Sequence, residues 1–404
     1  MKLFQFIMIL GMLFSLAGAG EGEWFRQSSG TNNNLYSVHF PTDTQTGYSV
    51  GGSGISCTIL KTTNGGVNWD SLSSGITDRL FCVDFPIDVQ TGYAVGYGLN
   101  ILKTTNGGAN WASQNPGTTN FLWSVQFPKD TQTGYAVGYG GTIVKTTNGG
   151  ENWDTLSSGI TNELRSVHFP IDAQTGYVVG SYGTILKTTD GGANWVIQPS
   201  GITNSLYSVH FPIDAQTGYA VGNNAIILKT TDGGGNWVVQ FLMDPFHWLI
   251  SVHFPIDAQT GYAAGNSGII LKTTNGGGNW VSQMSGVSGE LCSVHFPIDA
   301  QTGYAVGNGG TILKTTNGGT WVEEEKEKGP ESKIDQGLKA KPDPFSSFAE
   351  VPGHLKESFC LYNIAGRKVG NYRGDRIGFD LPPGVYFLRL EGNDSRPVRV
   401  VKVK

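Results

Sequence analysis

Five histidines occupy identical settings in this 404-residue chain: His39, His168, His210, His253 and His295 each stand between a valine and a phenylalanine. Asp84 and Gln126 take the same place in two further copies. Imidazoles gathered around an axis could bind a metal, but metal binding needs three or four ligands converging at about 2 Å. Positions spread over seven related units are too far apart for that, so each histidine is expected to bond the turn of its own unit, near Asp214 or Gln216 in the fifth. A second recurrent set is Lys61, Lys103, Lys145, Lys187, Lys229, Lys272 and Lys314. It is read as solvated ammonium groups whose stems lie over apolar neighbours, with a cationic ring for sulfate or carboxylate as the alternative. The recurring Pro-x-Asp-x-Gln segment offers one carboxylate per turn, which is thin for calcium. Asp84, Glu163 and Glu290 are the main acidic residues that break the pattern, and no pair among them stands out as the two carboxylates of a glycosidase. No Gly-x-Ser-x-Gly, His-Glu-x-x-His or phosphate loop is present. No catalytic residue, metal or cofactor is expected.

These residues recur because the chain repeats. Thr-Gly-Tyr returns with its glycine at 47, 92, 134, 176, 218, 261 and 303, at intervals of 45, 42, 42, 42, 43 and 42 residues. Each unit reads as four short strands: an apolar alternation such as Leu206 to Phe211, a second strand at Tyr219 to Gly222, a third at Ile226 to Thr230, and a fourth after Trp237. Pro-x-Asp and Asp/Asn-Gly-Gly segments supply the turns. The 3.6-residue helical period is absent. A period of about 40–45 residues with four strands predicts a propeller blade. The expected fold is all-β: a seven-bladed propeller of four-stranded antiparallel blades over residues 20–321. Composition agrees. The 59 glycines sit mostly in repeated turns, and charged residues are 15% of the chain, against about 25% in an average protein. With 11 Lys and Arg against 19 Asp and Glu between residues 20 and 321, the propeller is acidic, which disfavours nucleic acid.

The turn into the fourth strand, Thr-x-(Asn/Asp)-x-Gly-x-x-Trp, resembles the Asp-box, or bacterial neuraminidase repeat. Its copies hold Asn64 and Trp69, Asn106 and Trp111, Asn148 and Trp153, Asp190 and Trp195, Asp232 and Trp237, and Asn275 and Trp280; a seventh, one residue short, holds Asn317 and Trp321. The resemblance implies that the Asn or Asp side chain ties the turn and the Trp packs between blades. The whole repeat is similar to the propeller of photosystem II assembly and stability factors. Sialidase activity is not implied, because that family needs an arginine cluster and a Tyr/Glu nucleophile pair, whereas the propeller has only Arg26, Arg79 and Arg165.

There are eight Trp-led segments for seven fourth strands. Trp24-Phe-Arg-Gln-Ser-Ser-Gly30 matches Trp153 to Gly159, so the Trp24 strand is expected to complete the blade that begins near Leu291. The Trp321 strand, followed by Val322-Glu-Glu-Glu325, is the competitor. Residues 1–19 read as a signal peptide, with Lys2, an apolar run and an Ala17-Gly18-Ala19 cleavage site. Residues 322–341 form a charged linker. The chain from 342 to 404, with Pro342-Asp-Pro-Phe345, Tyr362-Asn-Ile-Ala-Gly-Arg367 and Pro383-Gly-Val-Tyr-Phe387, resembles the type A C-terminal sorting domain of the type IX secretion system. That resemblance implies a small immunoglobulin-like β-sandwich, passage through the type IX machinery, and a secreted or outer-membrane surface location reached via the periplasm. Export permits disulfides. Cys57 and Cys82 are the most plausible pair, with four free thiols as the alternative.

Alternate loops of a meander go to opposite faces. The Pro-x-Asp and Asp-box turns share a nearly invariant face. The links from fourth to first and from second to third strand share the other, where Tyr97, Tyr139 and Tyr182 fall. The sharpest departure is Phe241-Leu-Met-Asp-Pro-Phe-His-Trp248. Phe241, Met243, Phe246, His247 and Trp248 read either as an exposed contact for a protein or glycan ligand or as a loop folded over the channel mouth. The expected function is that of a monomeric, exported, non-enzymatic binding scaffold. A carbohydrate-binding or glycoside-hydrolysing propeller and an assembly factor for a membrane protein complex are the alternatives.

Overall fold

The computed structural model describes residues 24–98, 101–243 and 245–319, together with six strands between 349 and 402 and Pro382. Seven antiparallel four-stranded sheets follow one another around a central axis. In blade 1 the strands are Leu35–His39, Gly47–Ser53, Ser56–Thr62 and Asp70–Leu72. The other blades repeat this order from axis to rim. Blade 7 differs in its source: Leu291–His295, Gly303–Gly307 and Thr311–Thr315 are joined by Phe25–Gln27 from the far end of the chain. Phe25 pairs with Lys314, Arg26 with Leu313 and Gln27 with Ile312. The N-terminal strand therefore closes the ring, as its resemblance to other fourth strands suggests. Trp321 lies outside the described residues.

Closure is visible in the packing too. Between neighbouring blades a tyrosine stacks on a phenylalanine, and a tryptophan meets that phenylalanine edge-on. Tyr48 lies 3.8 Å from Phe85, and Phe85 lies 6.1 Å from Trp111. Six such sets use Asp-box tryptophans. In the seventh, Tyr262 stacks on Phe296 and the edge position is filled by Trp24 at 5.8 Å. Each tyrosine and phenylalanine of these sets is almost fully buried. The core is thus seven equivalent seams.

Each first strand carries a register shift after its opening leucine. Leu35 pairs with Gly51, but Ser37 pairs with Val50, leaving Tyr36 bulged. The same irregularity occurs in all seven blades. A Cβ on Gly51 would collide with the Asn34 carbonyl, and the equivalent glycines of other blades are equally close to the chain. That close approach is what holds the bulge. A bulge re-aims a side chain, and here residues two, three and five of the strand are partly exposed while one and four are buried in most blades. Simple alternation, which the sequence suggests, would have placed the second and fourth together.

The strands beyond residue 348 form a four-stranded antiparallel sheet built from Ser358–Asn363, Lys368–Arg373, Gly384–Leu390 and Val398–Lys402, plus a short pairing of Ala349–Glu350 with Arg376–Ile377. The linker and most connections of this tail lie outside the described residues. Among the described residues no helix is long and apolar enough to cross a membrane.

If Trp24 completes blade 7 and seals its seam with blade 6, Trp24→Ala should cost about 3–5 kcal/mol, as other buried Trp→Ala changes do. Urea unfolding would read this as a lowered midpoint. A midpoint equal to that of the unmodified protein would contradict closure by this strand.

Candidate functional site

Four rings of side chains, one member per blade, line the axis. At the inner level stand His39, Asp84, Gln126, His168, His210, His253 and His295. The Nε2 atoms of His168, His210 and His295 lie 3.1, 3.1 and 3.2 Å from the carbonyl oxygens of Phe211, Phe254 and Phe40 in the following blade. Asp84, Gln126 and His253 instead accept the amide N–H of Phe127, Phe169 and Phe296. The role is structural, as expected, but the partner is the next blade's backbone rather than the residue's own turn. The five imidazoles form a continuous arc with centroids 4.8–5.1 Å apart. Among the described residues no group of three or more His, Cys, Asp or Glu is placed to hold a metal.

Above this level is a ring of serines. The Oγ atoms of Ser37, Ser124, Ser166, Ser208, Ser251 and Ser293 accept the N–H of the next blade's valine, from Val83 round to Val38. Cys82 interrupts the ring and directs its thiol to the Val125 carbonyl at 3.7 Å. Cys57, Cys82, Cys292 and Cys360 are all free thiols, so the Cys57–Cys82 disulfide is not formed. Burial pushes the Cys82 thiol up to about 11, which suppresses its reactive thiolate.

The lysines are not solvated. Lys61 donates to the Gly107 carbonyl in the Asp-box of blade 2 at 2.8 Å and lies over the Tyr48 ring, whose hydroxyl is 3.1 Å from the same oxygen. Equivalent clamps join every pair of neighbouring blades, ending with Lys314 and Tyr304 on Gly65. The Asp-box residues tie the turns that present these carbonyls. In blade 1, Thr62 Oγ1 donates to Asn64 Oδ1 and accepts from the Gly66 amide, while Asn64 Oδ1 accepts from the Asn68 amide. The sets led by Asn106, Asn148, Asp190, Asp232 and Asn275 repeat it.

The outer two rings vary from blade to blade. The bulged residues are Tyr36, Phe81, Trp123, Arg165, Tyr207, Ile250 and Cys292. The residues preceding the strands are Asn34, Arg79, Phe121, Glu163, Ser205, Trp248 and Glu290. All of the bulged residues, and Arg79, Phe121, Trp248 and Glu290 of the second set, line a cavity of about 630 Å³ at the channel mouth, on the face of the variable links. Trp123 forms part of its wall. Phe81 stacks on it at 4.1 Å from blade 2, and the Arg165 guanidinium lies 3.9 Å from its centroid from blade 4. Glu163 fixes both, accepting Trp123 Nε1–H at 2.7 Å and Arg165 Nη2–H at 2.8 Å. Phe121 links Trp123 to the loop tyrosines Tyr97 and Tyr139.

The Phe241–Trp248 loop divides between the two sequence readings. Phe241 and Met243 pack against the seam between blades 5 and 6. The His247 carbonyl accepts the Ala225 amide, and Asn266 spans the loop, donating to the Phe246 carbonyl and accepting the Trp248 amide. Trp248 turns into the mouth, with Nε1 3.2 Å from Glu290 Oε2. Phe246 is 77% exposed and Leu242 is 57% exposed. The five residues do not form one surface patch. The sequence reading missed Tyr36, Phe81, Trp123 and Tyr207, whose signal is their variation inside an otherwise constant Leu-x-Ser-Val-His strand.

Fold and site together define an Asp-box propeller with a constant frame and a variable aromatic mouth. The model of a family described as photosynthesis system II assembly factor YCF48 matches residues 113–200, 148–242 and 198–286. No curated protein matches. Among solved structures, the chain is similar to YCF48 from Cyanidioschyzon merolae, at 20% identity and a TM-score of 0.59 over 72% of this chain and 98% of that one. It is also similar to a structure titled YCF48 bound to D1 peptide, at 19% identity and 0.61 over 78% and 100%. RRP9 WD40 repeats align at 10% identity and 0.61 over 73% and 97%. At these identities the likeness establishes the fold, and the central repeats are YCF48-like.

The histidine arc makes the ring acid-sensitive. Burial, reinforced by neighbouring imidazoles, lowers His39 and His210 to about 3, and burial lowers His168 and His295 to about 4. Unfolded histidine titrates near 6.5. Between these values the unfolded chain binds more protons, so stability falls as pH drops from 6.5 to about 4. Burial raises Asp84 to about 7, which acts in the opposite direction but is one group against five. The thermal midpoint should therefore decline over that range. Gln126 shows that the position accepts glutamine, and His210→Gln should decline less steeply. Parallel pH profiles would refute this role for His210.

Proposed function

We propose that this chain is a non-catalytic propeller that captures a segment of a protein partner at its aromatic mouth, a role of the assembly-factor kind. The observation that carries the reading is where the repeats differ. The seams, clamps and two inner rings are nearly the same in every blade, whereas each of the two outer rings presents six different residue types from seven blades. Variation confined to one concave, aromatic-lined surface is what a binding site on a repeat scaffold requires. A related fold has been captured with a peptide, in the structure titled YCF48 bound to D1 peptide. Sugar binding through aromatic stacking is less well served, because Phe81 and Arg165 flank Trp123 from the blades on either side. The leader-like composition of residues 1–19 and the resemblance of the chain from 342 to a sorting domain are what favour export through the type IX machinery. The partner is then a protein of the cell envelope or surface.

Site-specific photo-cross-linking on intact cells tests this. A cross-linking residue placed at Tyr97 or Phe246, on the mouth side, should capture a discrete protein. One at Ile213, on the opposite face, should not. The double variant Tyr36→Ala/Tyr207→Ala should weaken capture by tenfold or more while keeping the fold. Cross-links to no protein from the mouth, with retention of an oligosaccharide by the purified chain, would overturn the reading in favour of a glycan ligand.

A further inference from the structure

The mouth carries two charges that the described residues leave uncompensated. Among the described residues lining it, the charged side chains are Arg79, Arg165 and Glu290. Arg165 is neutralised by Glu163 at 2.8 Å. Among the described residues Glu290 meets only neutral donors, the Trp248 indole N–H at 3.2 Å and the Cys292 thiol at 3.5 Å. Arg79 has no carboxylate partner among the described residues. Its Nε is buried without an acceptor, and its guanidinium lies 5.5 Å from the Tyr97 ring centroid. Arg79 and Glu290 occupy the same place in their repeats, one residue ahead of the first strand, so the sevenfold symmetry sets them at one level of the mouth. They stand two blades apart, with Tyr36 of blade 1 between them, and do not pair with each other.

Opposite charges held apart in a concave apolar site keep their separate fields, and low-dielectric walls focus them. A charge that is partly desolvated and unpaired costs stability, and a ligand that supplies the counter-charge recovers that cost and excludes ligands that do not. Resting on the protein-binding reading above, we propose that the mouth selects a dipolar peptide segment. An acidic residue meets Arg79, a basic residue meets Glu290, and an apolar or aromatic residue between them packs on Tyr36 and Phe81. The planar guanidinium fork of Arg79 is suited to a carboxylate. Glu290 has an ammonium or guanidinium as its natural complement, beside the Trp248 ring that can share in a cation–π contact.

The test uses the full chain and a displayed library of random heptapeptides. Peptides retained by the unmodified protein should be enriched in sequences bearing both an acidic and a basic residue around an apolar one. For one selected peptide, Arg79→Glu should lower affinity at least tenfold, and replacing the peptide's acidic residue with Lys should restore it. Glu290→Lys should do the same, with rescue by replacing the peptide's basic residue with Glu. Thermal midpoints of both variants confirm folding, and rescue by the swapped peptide separates recognition from a structural defect. Peptides that bind with Tyr36→Ala-sensitive affinity but show no charge enrichment, or whose affinity is unchanged in both variants, would overturn the dipolar inference while leaving the protein-binding reading standing. A library from which no peptide is retained would overturn both.

Discussion

The structure depends on one repeated contact, the seam in which a tyrosine and a lysine of one blade grip an Asp-box carbonyl of the next. A β-sheet blade cannot bury both faces by itself, and seven of them become one molecule only if every face finds a neighbour. The stacked Tyr–Phe pair with its edge-on Trp supplies the apolar part, each aromatic contact contributing roughly 0.5–1.5 kcal/mol beyond its area. The clamp supplies direction. The Lys ammonium and Tyr hydroxyl converge on the same oxygen, as for Lys61 and Tyr48 on Gly107, and charged donors make the stronger hydrogen bonds. Satisfying a carbonyl at the tip of a tight Gly-Gly turn also fixes that turn, so local and inter-blade order reinforce each other.

A ring has no ends, but a chain does. The same seam forms where the last blade meets the first, through Tyr304, Phe40 and Trp69, while Trp24 supplies from the N-terminal side the tryptophan of the seam between blades 6 and 7. Inner rings close the circle as well. Ser293 receives the Val38 amide, and His295 reaches the Phe40 carbonyl. Each closure bond joins residues 255 apart in sequence, yet it has the geometry of its neighbours. With the frame held by seven equivalent seams, side chains at the mouth are released from structural duty. That division explains how Trp123, Arg165 and Glu290 can differ from their counterparts without disturbing the sheets beneath them.

Much of this was legible in the sequence. The period, the four-strand unit and the Asp-box gave the fold, and the similarity of Trp24 to the other fourth-strand tryptophans gave the closure. The choice of variable face was also readable, from the near-identity of the turns on the other side. The lysine clamps were not legible, because a recurrent Lys looks solvated in one repeat and finds its carbonyl only in the next. The histidines were assigned to the right kind of role with the wrong partner for the same reason. In the aromatic loop at 241–248, Phe241 and Met243 pack on a seam, Trp248 enters the mouth and Phe246 is exposed, a division that the sequence of the loop does not show.

The sequence by itself determined every feature that is local to one repeat: strand order, turn chemistry, and the glycines that permit both. Tertiary structure decided the site. Tyr36, Phe81, Trp123, Arg165 and Tyr207 lie about 42 residues apart along the chain, and nothing in a single blade brings them together. Two physical causes do. The bulge after each opening leucine swings the second residue away from the plain alternation that the strand pattern implies. Closure of the ring then gathers those seven side chains around one axis, where a difference between repeats becomes the shape of a pocket.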